Sequence, residues 1–177
     1  MRRALLVIAL VGSYAHAGQQ GGYPPIVTAK TLYAKTDYRG KAAPEFVVEK
    51  WLSAKPEMKG KILFVDFWAT WCGPCKALIP EVNKWHAKYG KDVVFVGLSD
   101  EPEATVTKFQ QTTKMNYPQA IDTQKRLHKA LGVQGIPHVM IVTPDGIVRW
   151  QGFPGSGEDP LNEEKLKQII AVSKNSN

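Results

Sequence analysis

Residues 61–89, KILFVDFWATWCGPCKALIPEVNKWHAKY, constrain the fold more than any other stretch of the chain. The apolar run Ile62–Phe67 has the length and the β-branched and aromatic content of a strand that is buried on both faces. After Cys72 and Cys75, apolar residues recur at steps of three and four, which predicts a helix with one buried stripe. The stretch therefore predicts a central strand that leads directly into a helix, with a cysteine pair at the junction.

The two cysteines are predicted to lie in different environments. Cys75 is on the buried stripe of the helix, whereas Cys72 is at the helix N-terminus, where we expect its sulfur to meet solvent. Unpaired backbone N–H groups and the helix dipole favour negative charge at that position, so Cys72 is the predicted thiolate. A nucleophilic thiolate with a second thiol behind it can carry out thiol–disulfide exchange. Cys72 attacks a substrate disulfide, and Cys75 then displaces the reduced product.

Two structural cysteines, or half of a zinc site, are the alternative interpretations of a Cys-x-x-Cys pair. The chain has only 2 cysteines, and a disulfide between them closes so short a loop that it would stabilise the fold little. The pair and the histidines have no spacing typical of a zinc site, so we predict no metal and no cofactor. A redox-active pair is the favoured interpretation.

The residues around this pair resemble the active-site segment of the thioredoxins. The match comprises Val65-Asp66-Phe67-Trp68-Ala69, Trp71-Cys72-Gly73-Pro74-Cys75-Lys76 and Pro80. The resemblance implies an α/β fold, a thioredoxin-like three-layer α/β/α sandwich with a mixed central sheet. It also implies that Trp71, Gly73 and Pro74 contact the substrate.

Asp66 is an acidic residue within the apolar strand. Burial of an ionised carboxylate is costly, so we predict that the pKa of Asp66 is raised. The resemblance to thioredoxins implies that Asp66 lies beneath Cys75 and deprotonates it through water. The alternative is a solvated residue at a strand end. The six-residue spacing between Asp66 and Cys72 matches the family and favours the catalytic role.

The segment Gly135-Ile136-Pro137 resembles the family loop whose proline is cis. The resemblance implies that this loop lies beside the cysteine pair and that the backbone of Ile136 pairs with an extended substrate chain. A trans proline in an ordinary turn is the alternative. His138 departs from the family pattern, and two interpretations stay open: contact with the redox site or Asp66, or a hydrogen-bonded strand residue.

Two further segments resemble the TlpA-like branch of the thioredoxin superfamily. Residues 40–46, GKAAPEF, match an N-terminal strand extension that this branch shares with the peroxiredoxins, and residues 101–120 match an inserted helix and strand. Peroxiredoxins have the pattern P-x-x-x-T-x-x-C before their reactive cysteine. Val65 and Ala69 occupy its proline and threonine positions here, which disfavours peroxidase chemistry of that type.

The remaining patterns predict four more strands and three more helices. The strands are expected at residues 93–98, 116–121, 139–142 and 147–151. One helix is expected after Asp100 and up to about Lys114, and another after Asp122, with Leu127, Ala130 and Leu131 inward and its end at Gly132. A last helix is expected after Asn162.

The N-terminus has the features of a secretory signal peptide. Arg2 and Arg3 precede the apolar core Ala4–Val11, and Ala15-His16-Ala17 is typical of a cleavage site. We therefore predict export to the periplasm or another extracytoplasmic compartment, with cleavage near Ala17. The predicted organisation is a signal peptide at 1–17, a flexible linker at 18–39, a thioredoxin-like domain at 40–173 and a tail at 174–177.

The formal net charge of +7 includes Arg2 and Arg3, and the other basic residues form no run, so we predict no binding to nucleic acid. The function expected is an exported protein-disulfide reductase, a monomer whose clients are disulfide-containing proteins. A reductase in an oxidising compartment needs electrons, so a membrane thiol-transfer protein is the expected donor. The resemblance implies maturation of cytochromes c as a task common in this branch. The alternatives are a disulfide oxidase or isomerase, and a non-catalytic module that binds extended peptides.

Overall fold

The computed structural model describes residues 22–176, which form a six-stranded mixed sheet with helices on both faces. This is the predicted three-layer α/β/α sandwich. The strands, in the sheet order β1-β4-β3-β2-β5-β6, are β1 Lys50–Trp51, β2 Ile62–Trp68, β3 Val93–Ser99, β4 Gln119–Ile121, β5 His138–Val142 and β6 Val148–Gly152. The helices are α1 Gly73–Tyr89, α2 Glu103–Gln110, α3 Arg126–Leu131 and α4 Glu163–Asn175.

Strand β2 lies at the centre of the sheet, parallel to β3 and antiparallel to β5. Phe64, Val65 and Phe67 have no solvent exposure, as expected for a strand that is buried on both faces. The chain leaves the carboxyl end of β2 and enters α1 after only four residues. The cysteine pair is therefore located at the edge of the most buried part of the sheet.

Side chains alternate between the two faces of β2 and separate the core into two layers. Phe64 belongs to the cluster that α1 and α4 cover, whereas Val65 and Phe67 belong to the cluster that α3 covers. By this alternation, Asp66 and Trp68 lie on the α1 face. The proposed acid and the helix that bears the cysteines thus share one face of the sheet.

The observed elements differ from the predicted ones mainly within the inserted segment. Helix α2 ends at Gln110 rather than Lys114, and β4 begins at Gln119 rather than residue 116. Asp100 does not cap α2; its carboxylate pairs with Lys125 at 2.7 Å, and Pro102 occupies the cap position.

The segment around α3 agrees with the prediction in part. The Asp122 carboxylate accepts the backbone N–H of Arg126 at 2.6 Å and so caps the first turn of α3. The helix ends at Gly132, whose φ of 63° is in the left-handed region that favours glycine. Leu127 and Leu131 are buried, but Ala130 is exposed, so its predicted inward position is wrong. Burial on α3 is confined to Leu127 and Leu131, four residues apart, and Ala130 lies at the solvent edge of that stripe.

The N-terminal segment differs most from its prediction. Residues 30–39, here called the N-terminal strap, pack against the domain instead of forming a flexible linker. Ala34 bridges to Val133 and Arg39 to Val148, and the Lys30 ammonium lies 2.6 Å from the Asp159 carboxylate. These partners are far away in sequence, so local composition could not indicate them. The domain therefore includes the strap and begins before residue 40.

The predicted ends of the chain are tested only in part. The predicted signal peptide and residues 18–21 of the predicted linker lie outside the described residues, as does Asn177. Helix α4 continues to Asn175, two residues beyond the predicted end of the domain. Among residues 22–176, the helices lack the length and apolar composition needed to cross a bilayer.

Candidate active site

Cys72 and Cys75 form a disulfide at the start of α1, with an S–S distance of 1.98 Å. Cys72 is the N-cap residue, and its sulfur accepts the backbone N–H of Cys75 at 3.1 Å. Pro74 lies in the first turn, where its missing N–H leaves no hydrogen bond unmade. A thiolate formed at Cys72 would therefore be stabilised by a backbone donor and by the positive end of the helix dipole.

Both cysteines are buried in the disulfide form. Cys72 is 3% exposed and Cys75 1%, so the expectation that the Cys72 sulfur meets solvent is wrong for this state. Apolar side chains from β2, the residue that follows it, α2 and β4 pack against the pair; they are Trp68, Ala69, Val106 and Ile121. The residues on either side of Cys72 are open to solvent, and Trp71 is 70% exposed. Trp71, Gly73 and Pro74 therefore form an exposed surface around the buried sulfur of Cys72.

The loop that precedes β5 lies beside this pair. The Ile136–Pro137 peptide bond is cis, as the resemblance implied, and the alternative trans proline is wrong. The carbonyl oxygen of Ile136 is 3.7 Å from the Cys72 sulfur. Pro137 is buried, whereas Ile136 is half-buried. The loop therefore provides a backbone carbonyl at the sulfur that would carry a mixed disulfide.

Asp66 is buried on the α1 face of the sheet, with 1% of its surface exposed. Its Oδ2 accepts a hydrogen bond from the Tyr117 hydroxyl at 3.1 Å, and Oδ1 has no partner among the described residues. Burial raises the pKa of Asp66 to about 7. The predicted pKa shift is confirmed, and the alternative of a solvated residue is wrong. A carboxyl group with such a pKa can both accept and donate a proton near neutral pH.

Tyr117 is a site residue that the sequence did not reveal. Its side chain is 2% exposed, and burial raises its pKa well above the usual range, so it remains a protonated donor toward Asp66. Gln119 extends the polar chain: its amide nitrogen donates to the Tyr117 carbonyl at 3.1 Å, and its amide oxygen accepts the Trp68 indole N–H at 3.1 Å. These contacts connect Asp66 to Trp68, which packs against the cysteines.

Glu101 is a second residue that no motif indicated. One carboxylate oxygen accepts the backbone N–H of Thr70 at 2.6 Å, and the other accepts the Thr70 hydroxyl at 2.8 Å. Thr70 belongs to the short connection between β2 and Cys72. The bidentate contact therefore fixes the backbone that leads into Cys72.

His138 matches neither of its two interpretations. It pairs with Phe67 across β2 and β5, which places it on the sheet face opposite Asp66. Its ring has no solvent exposure, and both nitrogens lack a partner within the described part of the chain. Burial lowers the pKa of His138 to about 3, so the ring is neutral. Residues 22–176 contain no group of three or more His, Cys, Asp or Glu side chains that could hold a metal ion.

Comparison with known protein families and curated sequences gives a consistent result. The model of the AhpC/TSA family matches residues 39–151. The thiol-disulfide oxidoreductase ResA of Bacillus thuringiensis subsp. konkukian is 36% identical over 172 residues, which cover 94% of each chain. The ResA of Geobacillus thermodenitrificans is 29% identical over 82% of this chain and 80% of its own.

Solved structures show the same fold. A candidate thiol:disulfide interchange protein DsbE from Chlorobium tepidum superimposes with a TM-score of 0.61 at 26% identity, covering 76% of this chain and 97% of that one. StoA from Bacillus subtilis gives a TM-score of 0.58 at 21% identity, over 73% and 98% of the two chains. At that identity the likeness to StoA concerns the fold alone.

Proposed function

The chain belongs to the AhpC/TSA family and is a thiol–disulfide oxidoreductase, and from this premise we propose that it is an exported reductase of protein disulfides. The observation that carries the proposal is the Cys72–Cys75 disulfide at the N-terminus of α1, beside the Ile136 carbonyl. Asp66, a buried acid on the α1 face, supplies the proton transfer that such a pair requires.

The reaction begins with the reduced pair. The Cys72 thiolate attacks one sulfur of a client disulfide, the client S–S bond breaks, and the second client sulfur leaves and takes up a proton. The product is a mixed disulfide between Cys72 and the client. Cys75 then attacks the Cys72 sulfur, which breaks the bond to the client and releases its other thiol. Two electrons have passed to the client, and the enzyme is left with the disulfide seen in the structure.

Asp66 acts in the second step. Cys75 must lose its proton before it attacks, and we propose that Asp66 accepts that proton through a water molecule. Two features support this role: the pKa of about 7, and the Oδ1 atom that has no partner among the described residues. Tyr117 acts through Asp66 as a positioning residue, because it holds Oδ2 and leaves Oδ1 available.

The client binds as an extended chain next to Cys72. We propose that its backbone pairs with that of Ile136, in the manner of an added β-strand, while Pro137 shapes the loop. Trp71, Gly73 and Pro74 form the exposed surface on the other side of the sulfur. This surface recognises backbone and general shape, which suits an enzyme with several protein clients.

Each turnover leaves a disulfide, so the enzyme needs a supply of electrons. Residues 1–17 have the composition of a signal peptide and support export to an extracytoplasmic compartment, where the protein acts as a monomer. There, a membrane thiol-transfer protein is the proposed donor. The clients are disulfide-containing proteins. They include apocytochromes c, whose haem-binding cysteines must be reduced.

The reductase function predicts catalysis of insulin reduction by dithiothreitol. The wild-type protein should accelerate precipitation of the insulin chains, and Cys72→Ser should fall to the uncatalysed rate because the attacking sulfur is gone. Ala77→Ser is the matched control. Ala77 is exposed on α1, so this substitution introduces the same hydroxyl group at a position other than the cysteines. No acceleration by the wild type, or full activity of Cys72→Ser, would refute the function.

Tyr117→Phe should move the pH dependence of the second step. The Tyr117 hydroxyl donates to the charged form of Asp66, so its removal raises the pKa of Asp66 further above about 7. Because Asp66 must be ionised to accept the proton, the rise of rate with pH should shift upward by up to about one pH unit. Stopped-flow measurement of the rate of mixed-disulfide resolution, at a series of pH values, gives the size of this shift.

Tyr89→Phe is the matched control for that experiment. The Tyr89 hydroxyl also donates to a carboxylate, that of Glu163 at 2.6 Å, at a position remote from the cysteines. Its removal should leave the pH profile unchanged. Coincident profiles for Tyr117→Phe and the wild type would show that Tyr117 only fills space.

A further inference from the structure

Three large apolar side chains are exposed among the described residues, and two of them adjoin the redox site. Trp71 directly precedes Cys72. Tyr33, on the N-terminal strap, is 50% exposed and lines a pocket of ≈ 180 Å³ together with Gly135, Ile136 and Phe153. This group is called here the aromatic pocket. Ile136 belongs both to the pocket and to the contact with the Cys72 sulfur.

The backbone holds Tyr33 firmly in this position. Its carbonyl accepts the N–H of Gln134 at 2.8 Å, and the next residue, Ala34, bridges to Val133. Tyr33 has a φ of 52°, which is a left-handed conformation. This conformation is rare outside glycine, because it raises the free energy of any residue that has a side chain. Exposed aromatic side chains in strained conformations are a feature of ligand contacts. Here the ring is displayed beside the loop that a client must approach.

Phe153 forms the opposite wall of the aromatic pocket. Its ring stands edge-on to Tyr33, with centroids 6.1 Å apart and an interplanar angle of 69°. Gly152 precedes it with a φ of 146°, a conformation that other residues rarely adopt. A Cβ atom at Gly155 would lie 3.0 Å from the Phe153 ring. The loop after β6 is thus shaped to place this ring against the strap.

We propose that the aromatic pocket binds a bulky apolar side chain of the client, one or two residues from the client cysteine that Cys72 attacks. The proposal rests on the reductase function and identifies its preferred substrates: disulfides flanked by a leucine, methionine or aromatic residue. The occupant is the client because its sulfur must reach Cys72, which lies 3.7 Å from the carbonyl of the pocket residue Ile136. Consecutive residues of an extended chain are about 3.3 Å apart, so a neighbouring side chain can enter the pocket.

The size of the pocket agrees with this occupant. Small-molecule sites usually enclose about 300–1,000 Å³, and ≈ 180 Å³ is too small for such a ligand but suits one side chain. Its walls are two aromatic rings and an isoleucine, which bury apolar atoms and make favourable contacts with a methionine sulfur. A single anchoring side chain in an aromatic pocket is a common way to select extended peptides.

The test uses two disulfide peptides that differ only at the positions one and two residues from the attacked cysteine, which are leucine in one peptide and glycine in the other. We expect the wild type to reduce the leucine peptide about fivefold to tenfold faster, as partial burial of one such side chain allows. Tyr33→Gly should bring this ratio close to one. Glycine is the best substitution because it removes the ring and also relieves the left-handed backbone, so the strap stays folded.

Two controls separate recognition from structure. Tyr33→Phe keeps the ring and should keep the ratio, whereas Ile26→Ala removes another exposed apolar side chain, outside the pocket, and should not alter it. Equal rates for both peptides with the wild type would overturn the pocket and leave the reductase function intact. A ratio that Tyr33→Gly does not change would also overturn it. If the wild type reduces neither peptide, the reductase function fails, and the pocket proposal fails with it.

Discussion

Cys75→Ser is expected to convert the enzyme from a catalyst into a trap for its clients. Cys72 remains able to attack a client disulfide, but the thiol that resolves the mixed disulfide is absent. The reaction should therefore stop at the mixed disulfide, before the first catalytic cycle is complete. Covalent adducts between Cys72 and client proteins should accumulate, because the site remains otherwise intact: the serine hydroxyl replaces a 1% exposed sulfur of similar shape.

Non-reducing electrophoresis of the variant, after acid quenching and alkylation of the exported fraction, measures this result. Bands that disappear on reduction contain the adducts, and mass spectrometry of these bands identifies the clients. Cys72→Ser is the control and should trap almost nothing, because Cys75 lies on the buried stripe of α1 and not at the helix N-terminus. Recovery of only unmodified Cys75→Ser monomer would contradict client reduction, and adducts on Cys72→Ser would reverse the two sulfur roles.

Asp66→Asn should raise stability, by an amount that depends on pH. The pKa of Asp66 is about 7 in the folded state, above its unfolded value of 3.8. Between these two pH values the folded wild type therefore holds a proton on Asp66 that the unfolded chain has lost. Its free energy of unfolding therefore falls as pH rises from about 4 to about 7. Asparagine keeps a hydrogen-bond acceptor for Tyr117. It does not titrate, so the variant does not show this fall in the free energy of unfolding. The variant should be more stable by up to a few kcal/mol above pH 7, and the difference should vanish toward pH 4.

The same substitution should reduce activity. Without the proton acceptor, resolution of the mixed disulfide by Cys75 should slow by roughly 10²-fold at neutral pH, although water replaces part of the effect. The deficit should shrink as pH rises, because Cys75 then ionises without help. Insulin reduction measured from about pH 6 to 9 covers the range of thiol titration. Urea unfolding measured from about pH 4 to 9 covers the range in which the stability difference should develop.

Asp92→Asn is the control for these measurements. Asp92 forms a surface ion pair with Lys174 at 2.8 Å, so its loss should change stability little and leave turnover unchanged. Equal turnover of Asp66→Asn and the wild type at every pH would remove the proton-transfer role. Equal unfolding free energies would contradict the raised pKa.

The parts of the site that the sequence revealed are those encoded in continuous segments. Cys72, Cys75 and Asp66 occur within one strand–helix junction, and Ile136–Pro137 forms a second compact motif. Periodicity along β2 and α1 was sufficient to indicate which faces are buried. The central strand and helix were therefore predictable nearly to the residue.

The parts that were missed depend on contacts between distant segments. Tyr117 reaches Asp66 across 51 residues, which requires the order of β4, β3 and β2 in the sheet. Glu101 reaches Thr70 across 31 residues, which requires that β3 lies beside β2. Nothing in the local sequence around either residue encodes that order. The burial of Cys72 was missed for the same reason, because α2 and β4 supply part of its cover.

The strap is the clearest example of this limit. Residues 18–25 have the composition of a linker, and the sequence predicts a flexible linker as far as residue 39. In the structure Lys30 pairs with Asp159, 129 residues away, and its ammonium lies 3.8 Å from the centre of the Trp150 ring. Composition describes local preference, whereas a buried ion pair depends on tertiary placement.

The reduction potential of the Cys72–Cys75 couple tests the reductase function most directly. Equilibration with glutathione or dithiothreitol, followed by quantification of the two redox forms, gives the value. The Gly-Pro spacer and the buried acid resemble thioredoxin, so we predict a potential of about −270 mV, at which the dithiol donates electrons to client disulfides. A potential of about −120 mV, as in a strong periplasmic oxidant, would contradict the reductase function and show that the enzyme introduces disulfides instead.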